Sequence, residues 1–280
     1  MIAADVVAKM RTMRRKFIPI KDRAIEIVAG SLIEWKYRGS WVASEPEDAG
    51  LGAMGRFMSS ERNVNWNMNV RCVAADSMGD ECCLAFADSS EFVWLHKGRV
   101  FESQLPQQPR AFYVTSLACL DEAVVAVAYN LEEMTSTVFV ADVETSKIRW
   151  RECGEYFASR PSFPVSADVL RCDGRSVWLV DEVSGEVFLW SKDSLCAVET
   201  LRAEDAYGTT SSGDFCFFDS GTGACVVRSA SGARRVLDVS ALKSRPVGIW
   251  GDEHRIWIAT ESDREGFILG GVYRESGALD

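Results

Sequence analysis

Residues 50–55, Gly-Leu-Gly-Ala-Met-Gly, match the glycine spacing of a dinucleotide-binding turn, and Asp76 follows where a ribose-binding acid would stand. That chemistry needs an apolar strand running straight into the glycines and a helix leaving them, so that the helix N-terminus faces the pyrophosphate. Here Glu45, Pro46, Glu47 and Asp48 come first and put negative charge where phosphate would sit. The segment reads as a loop. Nucleophilic catalysis by Ser or Cys needs a base. The two histidines, His96 in WLHKG and His254 in GDEHR, both read as solvated turn residues. The acid pairs Asp181-Glu182 and Asp252-Glu253 have the chemistry of hydrolase or calcium sites. Such a site would draw acids from equivalent positions of several structural units, and no such register runs through the chain. The nine cysteines include no Cys-x-x-Cys, and adjacent Cys82 and Cys83 face opposite sides of a strand. No zinc framework and no cofactor is expected.

A second set of residues suits recognition rather than catalysis. Ile2, Val6, Met10, Met13 and Phe17 recur at helical steps and form one apolar stripe. Lys9, Arg11, Arg14, Arg15 and Lys16 lie mostly off it. Residues 1–23 carry seven Lys or Arg against Asp5 and Asp22, whereas the whole chain has a net charge of −10. A helix of this kind can dock on an acidic body by its stripe, fill a partner's groove or serve as an organelle presequence. Its basic face could also touch acidic lipid heads. The absence of Ser and the presence of Asp5 weigh against the presequence. Met10, Arg11, Met13, Arg14, Arg15, Lys16 and Phe17 are the candidate partner-binding residues.

The elements behind these residues repeat. A period of about forty residues runs through the chain, with short apolar strands separated by polar turns. In the clearest copy, residues 166–201, one strand ends at Cys172 and Asp173-Gly174 turns the chain. Residues 176–180 form a second strand, Ser184-Gly185 turns it again, and residues 186–190 form a third. Anchored on the second strand, the copies begin near Cys82, Ala123, Ser176, Phe215 and Arg255. Each is a meander, and meanders repeated around a ring make a β-propeller. The last copy lacks an obvious fourth strand. An open sheet edge leaves backbone donors and acceptors exposed, so residues 24–29, AIEIVA, are expected to complete it from the other terminus. Residues 31–67 would then be a degenerate first unit. The chain is thus expected to be all-β, a β-propeller of about six four-stranded blades over residues 24–280, with an N-terminal amphipathic α-helix and linker over residues 1–23.

Particular residues resemble the WD-repeat family. Cys172-Asp173-Gly174 followed by Val187-Phe188-Leu189-Trp190 resembles that family's turn and its strand ending in Trp-Asp, with Ser191 in place of Asp. Residues 137–145 keep the Asp as Asp142 and have Ala141 in place of Trp. No copy has the Gly-His pair that opens the family's unit. The resemblance spans residues 70–273 and implies a protein-binding platform.

Composition points the same way. At 47% hydrophobic content, with nine Trp and fourteen Phe, 280 residues can bury one large core. An acidic body disfavours general nucleic-acid binding, which requires basic surface against phosphate. No apolar run approaches the roughly 18 residues of a membrane span. An odd number of cysteines without an export signal reads as reduced thiols of an intracellular protein, cytoplasmic or nuclear, or mitochondrial if the basic helix acts as an address. The expectation is a non-enzymatic scaffold subunit of a multiprotein assembly. The alternative is a propeller hydrolase or lyase with an acidic or calcium-binding central channel.

Overall fold

The structure, a computed structural model, describes residues 17–20, 23–28, 31–37, 41–44, 72–78, 81–86, 91–104, 112–130, 135–144, 147–152, 167–191, 194–202, 205–239, 242, 244–252, 255–260 and 267–272. These form antiparallel meanders in which each strand pairs with the next in sequence. The first sheet holds β1 (Phe17–Ile20), β2 (Arg23–Val28), β3 (Ser31–Tyr37) and β4 (Trp41–Ser44). The second holds β5 (Cys72–Met78), β6 (Glu81–Phe86), β7 (Glu91–His96) and β8 (Arg99–Gln104), and the third β9 (Phe112–Cys119), β10 (Ala123–Asn130), β11 (Thr135–Glu144) and β12 (Lys147–Glu152). The fourth comprises β13 (Ala167–Arg171), β14 (Ser176–Asp181), β15 (Glu186–Ser191) and β16 (Ser194–Thr200). The fifth comprises β17 (Tyr207–Thr209), β18 (Phe215–Asp219), β19 (Ala224–Arg228) and β20 (Arg234–Asp238). The sixth has three strands among the described residues, β21 (Pro246–Gly251), β22 (Arg255–Thr260) and β23 (Phe267–Val272).

The two-residue period of a strand explains how the sheets stack. On β14, Val177 and Leu179 enter a core shared with the third sheet, while Trp178 and Val180 enter one shared with the fifth. On β10, Val125 and Val127 face the fourth sheet, and Val124, Ala126 and Ala128 face the second. Ile256 and Ile258 of β22 pack toward the fifth sheet, whereas Trp257 and Ala259 pack toward the first. These three middle strands are therefore apolar on both faces, so their length reads as hydrophobic. The sixth sheet meets the first through Phe17, Trp35, Trp250 and Trp257, and β1 and β2 touch β5. The run of packed sheets thus closes on itself.

Hydrogen bonds at the turns after the innermost strands, one of them from the side chain of Trp178 on β14, reinforce the stacking. The Asp121 N–H donates to the Gly174 carbonyl (2.9 Å), Trp178 Nε1 donates to the Gly213 carbonyl (2.8 Å), and the Ser211 N–H donates to the Gly251 carbonyl (2.8 Å). Gly213 has φ +89°, and a Cβ there would fall on the Cys172 carbonyl. Only glycine allows this approach.

Two sequence expectations are corrected. Residues 23–28 do not complete the last sheet: β2 pairs with β1 and β3 in a sheet of its own, where Trp35 Nε1 donates to the buried Glu26 carboxylate at 2.9 Å. Phe17 is not the last residue of a helical stripe followed by a linker to residue 23. It is the first residue of β1, so the first sheet begins there. Pro19 obscured this strand, and it is tolerated because β1 is an edge strand paired only with β2. The proposed helix, with Met10, Arg11, Met13, Arg14, Arg15 and Lys16, lies outside the described residues, as do the loop of residues 50–55, His254 and residues 273–280.

Candidate functional site

Polar side chains converge where the innermost strands of three successive sheets run side by side. Ser116 on β9, Asp168 on β13, Tyr207 on β17 and Glu182 just beyond β14 form this group. Ser116 is buried, and its Oγ accepts the Val169 N–H at 3.0 Å. Its own proton faces both the Val169 carbonyl, at 3.0 Å, and the Asp168 carboxylate. A hydroxyl has one proton, so these two acceptors share it. The Tyr207 phenol likewise faces Glu182 Oε1 at 3.2 Å and Asp168 Oδ2 at 3.4 Å. Two half-buried carboxylates thus lie on either side of one phenol.

Chemically this group can do two things. It can bind sheets together, because Ser116 reaches the backbone of the next sheet's inner strand and Tyr207 reaches back from the fifth sheet to the fourth. It can also present carboxylate and phenol oxygens to a ligand. Neither role was legible in sequence. Asp181-Glu182 was the nearest signal, and only Glu182 of that pair faces Tyr207. Asp181 instead accepts the Val183 N–H (2.9 Å) and the Ser184 hydroxyl (2.8 Å), fixing the turn. Among the described residues, no group of three or more His, Cys, Asp and Glu is placed to hold a metal ion.

His96 is not the solvated turn residue expected from sequence. It ends β7 just before the turn formed by Lys97 (φ +48°) and Gly98 (φ +72°), and it is only 5% exposed because its ring packs 4.5 Å from Trp94. Its Nε2 stands 3.8 Å from Glu122, which the Lys97 ammonium holds at 2.8 and 3.0 Å. The hydrogen bond and charge of Lys97 keep the Glu122 carboxyl below its ordinary pKa. These contacts join the second sheet to the third, a structural use of the imidazole. Burial pushes the Cys172 and Cys225 thiols up to about 12 and the Cys216 thiol well above its ordinary value, so these sulfurs act as small apolar groups.

The outward surface of the fourth and fifth sheets contrasts with this. On β20, Arg234, Arg235, Val236 and Asp238 are exposed and only Leu237 turns inward. Glu199 of β16 lies 3.7 Å from Arg228 and 3.6 Å from Arg234, bridging the two sheets. Val236 of β20 stands 56% exposed there; elsewhere Val183 in the turn between β14 and β15 is 55% exposed and Val100 on β8 of the second sheet 43%.

Similarity to solved structures defines the class. No protein-family model and no curated protein matches the chain. The solved structures that match it over most of its length include these three. A luciferin-regenerating enzyme has TM-score 0.55 at 7% identity, covering 95% of this chain and 92% of that one. Virginiamycin B lyase from Staphylococcus aureus has TM-score 0.52 at 9% identity, covering 95% and 83%. The β-propeller domain of Cps50 (Swd1) from Myceliophteria thermophila has TM-score 0.50 at 11% identity, covering 90% and 80%. At such identities the likeness speaks for fold alone. With the closed run of meanders, it makes this chain a β-propeller.

Proposed function

We propose that this chain is a six-bladed, WD-repeat-like propeller that acts as a protein-interaction scaffold, an intracellular subunit of a larger assembly without catalytic activity of its own. The observation that carries the reading is the division of labour between inside and outside. The buried or half-buried polar side chains Ser116, Tyr207 and His96 contact adjacent sheets, while the outer strand β20 presents exposed charge and the exposed Val236. A ring built this way offers loops and outer strands at fixed spacing, and their side chains can change without disturbing the core. The N-terminal basic residues Arg11, Arg14, Arg15 and Lys16, with Met10 and Met13, are a second proposed contact. Phe17 is withdrawn from that set because it is buried in β1. Deleting residues 1–16, or reversing Arg14, Arg15 and Lys16 to Glu, is expected to weaken partner association in native-cell extracts while leaving the melting temperature of the ring unchanged. Unchanged association would remove these residues from the contact.

A second reading rests on Asp168, Glu182 and Tyr207, whose carboxylate and phenol oxygens suit a hydrolase or lyase site in the channel. It predicts that calcium or a bound substrate raises the melting temperature and that Glu182→Gln abolishes the shift. No shift with calcium would count against the calcium form of that reading.

A further inference from the structure

Cys83 and Cys119 are brought together by the fold although 36 residues separate them in sequence. Cys83 lies on β6, opposite Trp94 of β7, and Cys119 ends β9, opposite Val124 of β10. Both are completely buried in the core between the second and third sheets. Neither is in a disulfide, yet their Sγ atoms are 2.9 Å apart. The Cys119 thiol donates to the Cys83 sulfur; carbon atoms at optimal contact stand about 3.5–4.0 Å apart, and a disulfide closes to about 2.05 Å. The two sulfurs are therefore nearer than packing alone favours, and a movement of about 0.9 Å would join them.

We propose that Cys83 and Cys119 form an oxidation site, a disulfide that joins the second and third sheets when the protein meets a peroxide. The chemistry balances with hydrogen peroxide as oxidant. One thiol attacks the peroxide as its thiolate, breaking the O–O bond to give a sulfenic acid, and the proton that the thiol lost passes to the departing hydroxide to give the first water. The second thiol then attacks that sulfur, forming the S–S bond, and the sulfenic oxygen leaves as water. Overall, two thiols and one peroxide give one disulfide and two waters. Both sulfurs are buried, so a small neutral oxidant is the chemical class that fits, and the burial that slows the first step also shields the intermediate from other thiols. The product would add a cross-link between two sheets that side-chain contacts also join, among them those of His96 and Lys97 with Glu122.

The test uses the purified, reduced full chain treated with hydrogen peroxide, quenched with a maleimide in denaturant, and digested with trypsin without reductant. The expected product is a linked pair of peptides, residues 72–97 and 111–147, lighter by two hydrogens than their sum, with fragmentation assigning the bond to Cys83 rather than to Cys72 or Cys82. Oxidation is expected to raise the melting temperature by roughly 5–10 °C. The rise should vanish in Cys119→Ala and persist in Cys82→Ala. Exposed Cys196 reports that oxidant was sufficient. If Cys196 is fully oxidised while Cys83 and Cys119 are both recovered as maleimide adducts, or if the bond maps to Cys82, the proposal is overturned.

Discussion

Replacing Phe17 by Ala tests how the first and last sheets meet. Phe17 is 3% exposed and stacks on Trp250, itself 1% exposed, with ring centroids 3.9 Å apart and an interplanar angle of 23°. Around them pack Ala24 and Trp35 from the first sheet, and Val247, Trp257 and Ala259 from the sixth. Truncation removes the buried ring and leaves a cavity between two sheets, which costs about 3–5 kcal/mol for Phe→Ala in a core. Against a total stability of about 5–15 kcal/mol this is a large fraction. At about 2–4 °C per kcal/mol for a chain of this size, the midpoint of thermal unfolding should fall by roughly 6–20 °C. Urea unfolding followed by tryptophan fluorescence would give the free energy directly. A double-mutant cycle with Trp250→Ala should show a coupling of about 0.5–1.5 kcal/mol from the stacked pair. A Phe17→Ala loss below about 1 kcal/mol, with effects simply additive with Trp250→Ala, would refute closure through this contact.

Other consequences follow from single contacts. Ser116→Ala leaves the Val169 N–H and carbonyl without their cross-sheet partner and should cost about 1–3 kcal/mol in urea unfolding. Gly213→Ala places a Cβ on the Cys172 carbonyl at a positive φ, so the variant is expected to lose soluble yield or to melt well below the parent. Burial raises the Asp214 carboxyl, with Arg235 pulling it partly back. The folded chain thus holds that proton more tightly than the unfolded one, and the associated stability is present at low pH and lost as pH rises through the folded pKa. Asp214→Asn should therefore raise the melting temperature at about pH 7 and converge on the parent near about pH 3, as thermal melts across pH would show.

The repeat was legible because each unit closes locally. The second strands anchored at Cys82, Ala123, Ser176, Phe215 and Arg255 begin in the structure at Glu81, Ala123, Ser176, Phe215 and Arg255. Of the two turns chosen for their glycines, Ser184-Gly185 holds Gly185 at φ +76°, whereas Gly174 of Asp173-Gly174 turns the chain without a positive φ. What escaped the sequence is what depends on neighbouring sheets. A two-residue period tells which side chains share a face and not which sheet they meet. Ser116 could not be matched with Val169, nor Tyr207 with Asp168, nor Cys83 with Cys119. The first sheet was misread for a different reason. Phe17 falls at a helical step from Met13, and Pro19 argues against a strand unless that strand is known to be an edge.

The central claim, that the outer surface binds and the inner polar groups hold the sheets, is tested most directly by comparing three full-length forms recovered from the native cell. These are the parent, a Val236→Asp form and a Glu182→Gln form, each with its stoichiometric companions quantified by mass spectrometry and its melting temperature measured. The account predicts that the valine form loses companions while melting like the parent, and that the Glu182→Gln form keeps them. A parent that comes out alone, or companions lost only with Glu182→Gln, would contradict it and move attention to the channel.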